Sequence, residues 1–133
     1  MAFDEEIRHE GELLAIIIRS EASPAATRFH TPPELNLQLG FVVYPAGSEI
    51  ARHSHRRIER SIVGTNEVLL VRKGRCEIDL YGGARELVAT RELRAGDVVL
   101  LGGGGHGFRV LEDTVFLEVK QGPYYGAEEK EVF

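Results

Sequence analysis

The stretch EVLLVRKGRCEIDLY, residues 67–81, contains two strand-like runs separated by a short turn. The first run, Glu67–Val71, is almost wholly apolar, as is typical of a buried strand. It ends at Arg72–Gly74, where a glycine lets the chain turn sharply, and Arg75–Tyr81 then forms a second run. The stretch therefore predicts two successive β-strands with a turn between them.

Runs of the same kind lie on both sides of this stretch, separated by glycine and proline. Helical patterns are scarce, and the best of them is the short, charged segment Phe3–His9. In Leu35–Val43 every second residue is apolar, which predicts a long strand with one apolar face. About ten short strands at regular spacing predict a single all-β sandwich or barrel. Outside residues 67–81 the predicted strands are Leu13–Ile18, Thr27–His30, Leu35–Val43, Ile50–His55, Arg85–Leu93 and Val98–Leu101, and a last hairpin pairs His106–Leu111 with Val115–Lys120.

Composition and charge narrow the class of protein. The chain has 133 residues, 43% of them apolar, which is enough for one domain with a hydrophobic core. Its net charge of −5 argues against a nucleic-acid-binding surface, which needs clustered Lys and Arg. The longest apolar run, Leu13–Ile18, is too short to cross a bilayer, and the acidic N-terminus has no signal-peptide pattern. The single cysteine, Cys76, is expected to be a small buried residue and not a nucleophile, and together these features predict a cytoplasmic protein.

Two histidines stand one residue apart in GSEIARHSH, residues 47–55. On a strand, His53 and His55 would project from the same face, so both imidazoles could bind one metal ion. Such a pair can equally be a feature of the surface, and a metal site needs further ligands. Zinc, iron, nickel and manganese accept imidazole nitrogen and carboxylate oxygen. The candidates for the further ligands are Glu59, Glu67 and His106.

The spacing of these residues resembles the first sequence motif of the cupin family. In that motif a glycine and five residues precede His-x-His, and a glutamate follows, then six residues and another glycine. Here Gly47 and five residues precede His53, and six residues separate Glu67 from Gly74. About eight additional residues, roughly 57–64, would then lie between the histidines and the strand that carries the glutamate.

The second cupin motif resembles the segment that begins at Gly96. Five residues separate this glycine from the run Gly102–Gly105, and His106 follows, with Gly102 in place of the family's proline and the histidine one residue early. The resemblance covers about residues 35–120 and implies a double-stranded β-helix, the jelly-roll barrel of the cupins. The resemblance accordingly implies that residues 1–133 form one cupin domain, with residues 1–34 as N-terminal strands and connector, residues 35–120 as barrel core and residues 121–133 as C-terminal tail. The resemblance also implies one divalent transition metal (Fe, Ni, Mn or Zn) in the barrel mouth, with His53, His55, Glu67 and His106 as ligands.

Motif spacing leaves two candidates for the carboxylate ligand. Glu59 follows His55 after three residues, as in the family motif, whereas Glu67 has the correct distance to the closing glycine. If the histidine strand continued, Glu59 would lie about 13 Å beyond His55 at ~3.3 Å per residue, too far to share a metal ion. No turn-forming residue lies between them, but Gly64–Asn66 directly precedes Glu67. We therefore predict that Glu67 is the carboxylate ligand. It opens a strand in which the apolar residues at alternate positions lie on the same face as the glutamate.

The fold does not determine the reaction, because cupins carry many unrelated activities. The first hypothesis is a metal-dependent enzyme, for which the resemblance favours a sugar or sugar-nucleotide isomerase or epimerase, with a dioxygenase next. The second is a metal-free isomerase in which a histidine is the general base. The third is a non-catalytic binding or sensor module. In each case the partner is a small molecule, and no catalytic base can be identified beyond the ligands.

We also predict a homodimer. The run Leu13–Ile18 and the outward-facing Val68 and Leu70 give more apolar strand surface than one barrel needs to bury. A neighbouring copy would cover this surface and hide a strand edge.

Overall fold

The computed structural model describes residues 3–133, and over that range the protein is built from β-strands in antiparallel sheets. The all-β prediction is therefore confirmed. The elements are β1 (Asp4–His9), β2 (Glu12–Ile18), β3 (Arg28–Phe29), β4 (Gly40–Phe41), β5 (Glu67–Lys73), β6 (Arg75–Tyr81), β7 (Leu87–Arg94), β8 (Val98–Leu101), β9 (Gly105–Val110), β10 (Val115–Lys120) and one short 3-10 helix, Gly126–Glu129.

Contacts within the chain divide these residues into two compact units. The first unit contains residues 3–22 and 65–133, and the second contains residues 23–64. In the first unit, one sheet has the strand order β1-β2-β8-β5-β10 and the other has the order β7-β6-β9. The second unit contains the β3–β4 pair. Neither sheet of the first unit closes into a barrel over the described residues, and the predicted barrel core at residues 35–120 stays a prediction.

The hydrophobic core of the first unit lies between its two sheets. In the larger sheet, Leu69 of β5 is directly opposite Val99 of β8, and both are buried. Since alternate residues of a strand share a face, Glu67 projects from β5 on the same inner side as Leu69. Each large side chain buried in the core contributes about 1.5–3 kcal/mol. The core cluster comprises Ile7, Leu14, Ala15, Ile17, Leu69, Val71, Cys76, Ile78, Leu80, Leu93, Val99 and Leu101.

The turn inside residues 67–81 passes the chain from one sheet to the other. Strands β5 and β6 are consecutive, yet β5 pairs with β8 and β10, whereas β6 pairs with β7 and β9. Gly74 adopts a φ of 94° at this crossing, and a Cβ there would collide with the backbone of Asp113 and Thr114. Only glycine combines this backbone conformation with such a close approach. The stretch therefore places its two strands on opposite sides of the core.

Three strands are confirmed to the residue, but the helix predicted at Phe3–His9 is wrong. The confirmed strands are Arg75–Tyr81, Val98–Leu101 and Val115–Lys120. Asp4–His9 is β1, which pairs with β2 along its whole length and buries Ile7. A helix as short as the predicted Phe3–His9 is marginal on its own, whereas the six-residue strand gains a ladder of hydrogen bonds from its neighbour.

The strand predicted over Leu35–Val43 is mostly a loop, because only Gly40–Phe41 belongs to a strand. The Gln38 side-chain amide donates to the carbonyl oxygens of Pro32, at 2.9 Å, and Leu35, at 3.0 Å. These bonds hold a compact turn in place of a ladder. The strand predicted at Ile50–His55 is not formed either, since residues 42–66 contain no strand.

The final hairpin is also wrong in its pairing. Strand β9 pairs with β6, whereas β10 pairs with β5 in the other sheet. The backbone N–H groups of Leu111 and Glu112 donate to the Arg75 carbonyl oxygen at 3.0 and 3.1 Å. These bonds hold the β9–β10 connection against the start of β6, so that the chain crosses back to the larger sheet.

Two expectations from composition can be compared with the fold. Cys76 is fully buried, and this burial raises the pKa of its thiol, so the prediction of a buried cysteine is confirmed. Across residues 3–133, no helix is both long enough and apolar enough to span a membrane.

Candidate functional site

Ionisable side chains gather at one end of the first unit, which we call the upper end. In the larger sheet, β5 begins there at Glu67, directly opposite Leu101 at the end of β8 and Lys120 at the end of β10. The loop at residues 102–104 joins β8 to β9, which begins in the smaller sheet at Gly105. The upper end is thus a rim between two facing sheets.

Glu67 is half-buried at this rim, on the inner face of β5. Its acidic neighbour is Glu118, which projects from β10 opposite Leu69 and therefore shares the inner face. Burial is the main cause that raises the pKa of Glu67 to about 7, and a hydrogen bond and the negative charge from Glu118 add to it. The charges of Lys120 and Lys130 oppose this increase. Near pH 7 the carboxyl group of Glu67 is therefore partly protonated.

His106 faces the interior from the other sheet. Strand β9 places it directly opposite the fully buried Leu80, and its ring packs edge-on against Phe108, with centroids 5.9 Å apart. Although the residue is exposed, partial desolvation of the ring lowers the pKa of His106, the charge of Lys130 lowers it further, and Glu118 raises it. The imidazole is therefore mostly neutral near pH 7, and it can accept a proton or bind a metal ion.

Asn66 holds the beginning of β5 in place. Its side-chain amide donates to the carbonyl oxygens of Gly102, at 2.9 Å, and Leu101, at 3.4 Å. Its backbone N–H donates to Gln121 Oε1 at 2.5 Å. Asn66 is itself buried, so these bonds tie the start of β5 to the segments that follow β8 and β10. They fix the position of Glu67, the next residue.

The histidine pair lies in the second unit, on a segment without strand pairing. The ring centroids of His53 and His55 are 5.3 Å apart, with the planes at 70°. His53 Nδ1 lies 2.8 Å from the carbonyl oxygen of Ala51. Since a carbonyl oxygen only accepts, Nδ1 donates, and the neutral ring keeps the lone pair of Nε2 for another partner. Both histidines are exposed, as is Glu59.

The structure brings together some of the predicted metal ligands but not all. Glu67 and His106 lie on facing inner surfaces of the first unit, and His53 and His55 lie side by side in the second. Throughout residues 3–133, no group of three or more His, Cys, Asp or Glu side chains is arranged to hold a metal ion. The ligand set, and the choice of Glu67 over Glu59, stay predictions.

Three charged residues of the upper end were missed by reasoning from sequence: Glu118, Lys120 and Lys130. The alternation of β10 is visible in the sequence and places Glu118 and Lys120 on the same face as Phe116. That face points inward only because β10 pairs with β5. Lys130 stands in an acidic tail, where no sequence pattern connects it to the sheets.

Comparison with known proteins identifies no relative of this chain. No protein-family model matches it, and no curated protein or solved structure matches it. Function therefore has to follow from the chemistry of the side chains described above.

Proposed function

We propose that this protein is a metal-binding enzyme of the cupin type, which acts on a small molecule at the upper end of its first unit. The observation that carries the proposal is that Glu67 and His106 project from opposite sheets at the same rim, where the charge of Glu118 acts on both. A carboxylate and a neutral imidazole are donors that Zn, Fe, Ni and Mn accept in proteins.

A jelly roll is the finer fold that we propose. Strand β5 lies in the larger sheet and β6 in the smaller, and the chain changes sheet again from β7 to β8, from β8 to β9 and from β9 to β10. A jelly roll also consists of two antiparallel sheets between which the chain alternates. The motif spacing around Gly47 and Gly96 supports the same assignment.

The proposed ligands are His53, His55, Glu67 and His106, and the chemistry of these donors fits a divalent transition metal. The hydrogen bond from Nδ1 of His53 leaves Nε2 of that ring available, and the lowered pKa of His106 favours the neutral form of its ring. When bound, the ion would polarise a substrate oxygen or activate water or O₂. Glu118 is placed beside Glu67 to hold or release a proton at the rim.

The substrate class that we propose is a sugar or a sugar nucleotide, with isomerisation or epimerisation as the reaction. This choice follows the resemblance to small single-domain cupins, and a cupin dioxygenase is the alternative. Both reactions need groups that transfer protons, and Glu67 and His106 are the side chains at the upper end that we propose for this role.

A metal-free isomerase is the second candidate, with His106 as the general base. It is favoured by the raised pKa of Glu67, which makes this carboxyl group a proton donor near pH 7 without a metal ion, on the strand that faces the imidazole of His106. A binding or sensor module would carry the same side chains and show no turnover.

Metal content and turnover together separate these functions. Protein purified without a metal-affinity tag is expected to contain one divalent transition metal per chain by mass spectrometry, and added Zn or Ni should raise its melting temperature. Neither signal would appear if the metal site did not exist. Isomerisation of sugar substrates that survives treatment with a chelator would favour the metal-free enzyme, and metal binding without any turnover would favour the binding module.

A further inference from the structure

The C-terminal segment, residues 121–133, crosses the upper end from one sheet to the other, and we call it the strap. It leaves the larger sheet at the end of β10, where Lys120 Nζ lies 3.4 Å from Glu129 Oε2. The same glutamate accepts a hydrogen bond from the backbone N–H of Tyr125 at 3.1 Å. The side chains of Lys120 and Glu129 are only 23% and 13% exposed, so this near anchor is well shielded from water.

The far anchor of the strap lies on the smaller sheet. The ring of Phe133 packs edge-on against Tyr81 at the end of β6, with centroids 5.2 Å apart. The guanidinium of Arg85 lies 4.9 Å from the centre of the Phe133 ring and forms a 3.0 Å ion pair with Glu131. A Cβ on Gly105 would collide with the same ring, so the glycine at the start of β9 makes room for it. The strap is therefore held at both of its ends.

Between the two anchors the strap carries Lys130. Its two neighbours in sequence are held on opposite sides of the rim, Glu129 by Lys120 at the end of β10 and Glu131 by Arg85 beside the smaller sheet, so Lys130 lies across the rim between them. Lys130 is exposed, and among the described residues no carboxylate forms an ion pair with it. Lys120, by contrast, is already paired with Glu129. The upper end thus has one ammonium group that is free to bind a ligand.

We propose that the strap is a wall of the site and that Lys130 binds an anionic group, a carboxylate or a phosphate, of the small molecule that enters the upper end. The proposal rests on the proposed function, because it names the substrate class of the same site. An ammonium group without a protein counter-ion is a natural partner for an oxyanion.

The test measures anion binding by the protein as purified, with inorganic phosphate and succinate as probes, at constant ionic strength. Backbone amide resonances of the strap and of β9 should shift in a saturable way with one probe or with both. A response to phosphate alone or to succinate alone identifies the anionic group. The absence of saturable shifts with either probe would overturn the proposal.

Substitutions then test the role of Lys130 itself. Lys130→Gln should weaken anion binding by about tenfold or more, whereas Lys130→Arg should change it by less than about twofold, because the charge is kept. Lys73→Gln, at the other end of β5, is the matched control and should bind as the wild type does. Phe133→Ala removes the far anchor without touching the lysine and should also weaken binding. Equal affinity in the wild type and Lys130→Gln would contradict the proposal.

A failure of this proposal can be distinguished from a failure of the proposed function. A protein without metal and without turnover would refute the proposed enzyme, yet its anion titrations would still show whether Lys130 binds an oxyanion. Conversely, a metal-loaded, active protein whose anion binding ignores Lys130 would refute only the role of the strap.

Discussion

At the scale of single residues, Glu67 has the least ordinary surroundings among the residues described. It occupies an inward position of β5, one step along the same face from the buried Leu69, and it hydrogen-bonds to a second carboxyl group, that of Glu118. Two carboxyl groups at a half-buried rim oppose each other's ionisation, and packing alone would favour an apolar residue there. Perturbed acidic groups of this kind are concentrated at functional sites.

The first prediction concerns the identity of the carboxylate ligand. Glu67→Gln is expected to lower the affinity for Zn or Ni by at least about tenfold, because it removes a charged donor, whereas Glu59→Gln should leave the affinity nearly unchanged. Metal titrations of both variants at one pH measure the difference. If Glu59→Gln weakened metal binding more than Glu67→Gln did, Glu59 would be the ligand. No insertion would then have to be assumed between the histidines and the glutamate.

The second prediction follows from the pKa of Glu67, which is about 7 in the folded protein against an ordinary value of 4.5. Between these values the folded state holds a proton that the unfolded state releases. The contribution of this proton to the free energy of unfolding is therefore complete below about pH 4.5 and is lost as the pH rises through about 7. Glu118→Gln removes the like charge beside Glu67, and it should therefore make the decrease in the free energy of unfolding between these pH values smaller.

Urea denaturation of the metal-free protein at about pH 5 and about pH 8 measures this effect. The exposed Glu21→Gln is the control, and it should lose as much stability between these pH values as the wild type. An unchanged loss in Glu118→Gln would mean that Glu118 does not raise the pKa of Glu67.

At the scale of elements, the connections between strands decide the architecture of the first unit. Gly74 carries the chain from the larger sheet to the smaller one, and the segment at residues 111–114 carries it back. The two crossings touch, because the Gly74 backbone lies against Asp113 and Thr114. The pair therefore closes the end of the core that lies opposite the upper end.

The third prediction tests this crossing. Gly74→Ala should lower the free energy of unfolding by about 2 kcal/mol or more, because an L-residue is strained at positive φ and its Cβ would collide with the neighbouring backbone. Gly107→Ala, in β9, is the matched control, since its Cβ would meet no atom within 4 Å. Chemical denaturation compares the two variants. Similar losses would show that the crossing tolerates a side chain.

At the scale of the whole molecule, the outer face of β5 and β10 is apolar. Val68 is directly opposite Val119, and Leu70 is directly opposite Leu117, all on the side away from Leu69. Leu117 and Val119 are 52% and 55% exposed. The run Leu13–Ile18, in contrast, is buried within the single chain and gives no argument for a partner.

The fourth prediction is that a second copy of the chain covers this face. We propose a homodimer, because paired exposed apolar residues next to an edge strand are a typical site of association. Light scattering at micromolar concentration should give the mass of a dimer, and Leu117→Lys should shift the mass toward the monomer. Leu87→Lys, which changes an equally exposed leucine on the smaller sheet, should leave the dimer intact. A monomer mass for the wild type would refute the proposal.

The sequence by itself determined both ends of three strands of the first unit and the start of a fourth. Apolar runs bounded by glycine are local signals, and they place β6, β8 and β10 to the residue, with Glu67 at the start of β5. The burial of Cys76, the single cysteine, could be predicted in the same way. The histidine motif was also visible, although its strand is not formed.

Only the tertiary structure decided which strands are neighbours, because pairing depends on segments far apart in the chain. The sequence of β9 and β10 fits a hairpin, yet each pairs with a strand from the middle of the chain. The segment Asp4–His9 becomes a strand because β2 offers it an edge. The raised pKa of Glu67, and the position of Lys130 between the two anchors of the strap, depend on the same long-range contacts, which no local pattern encodes.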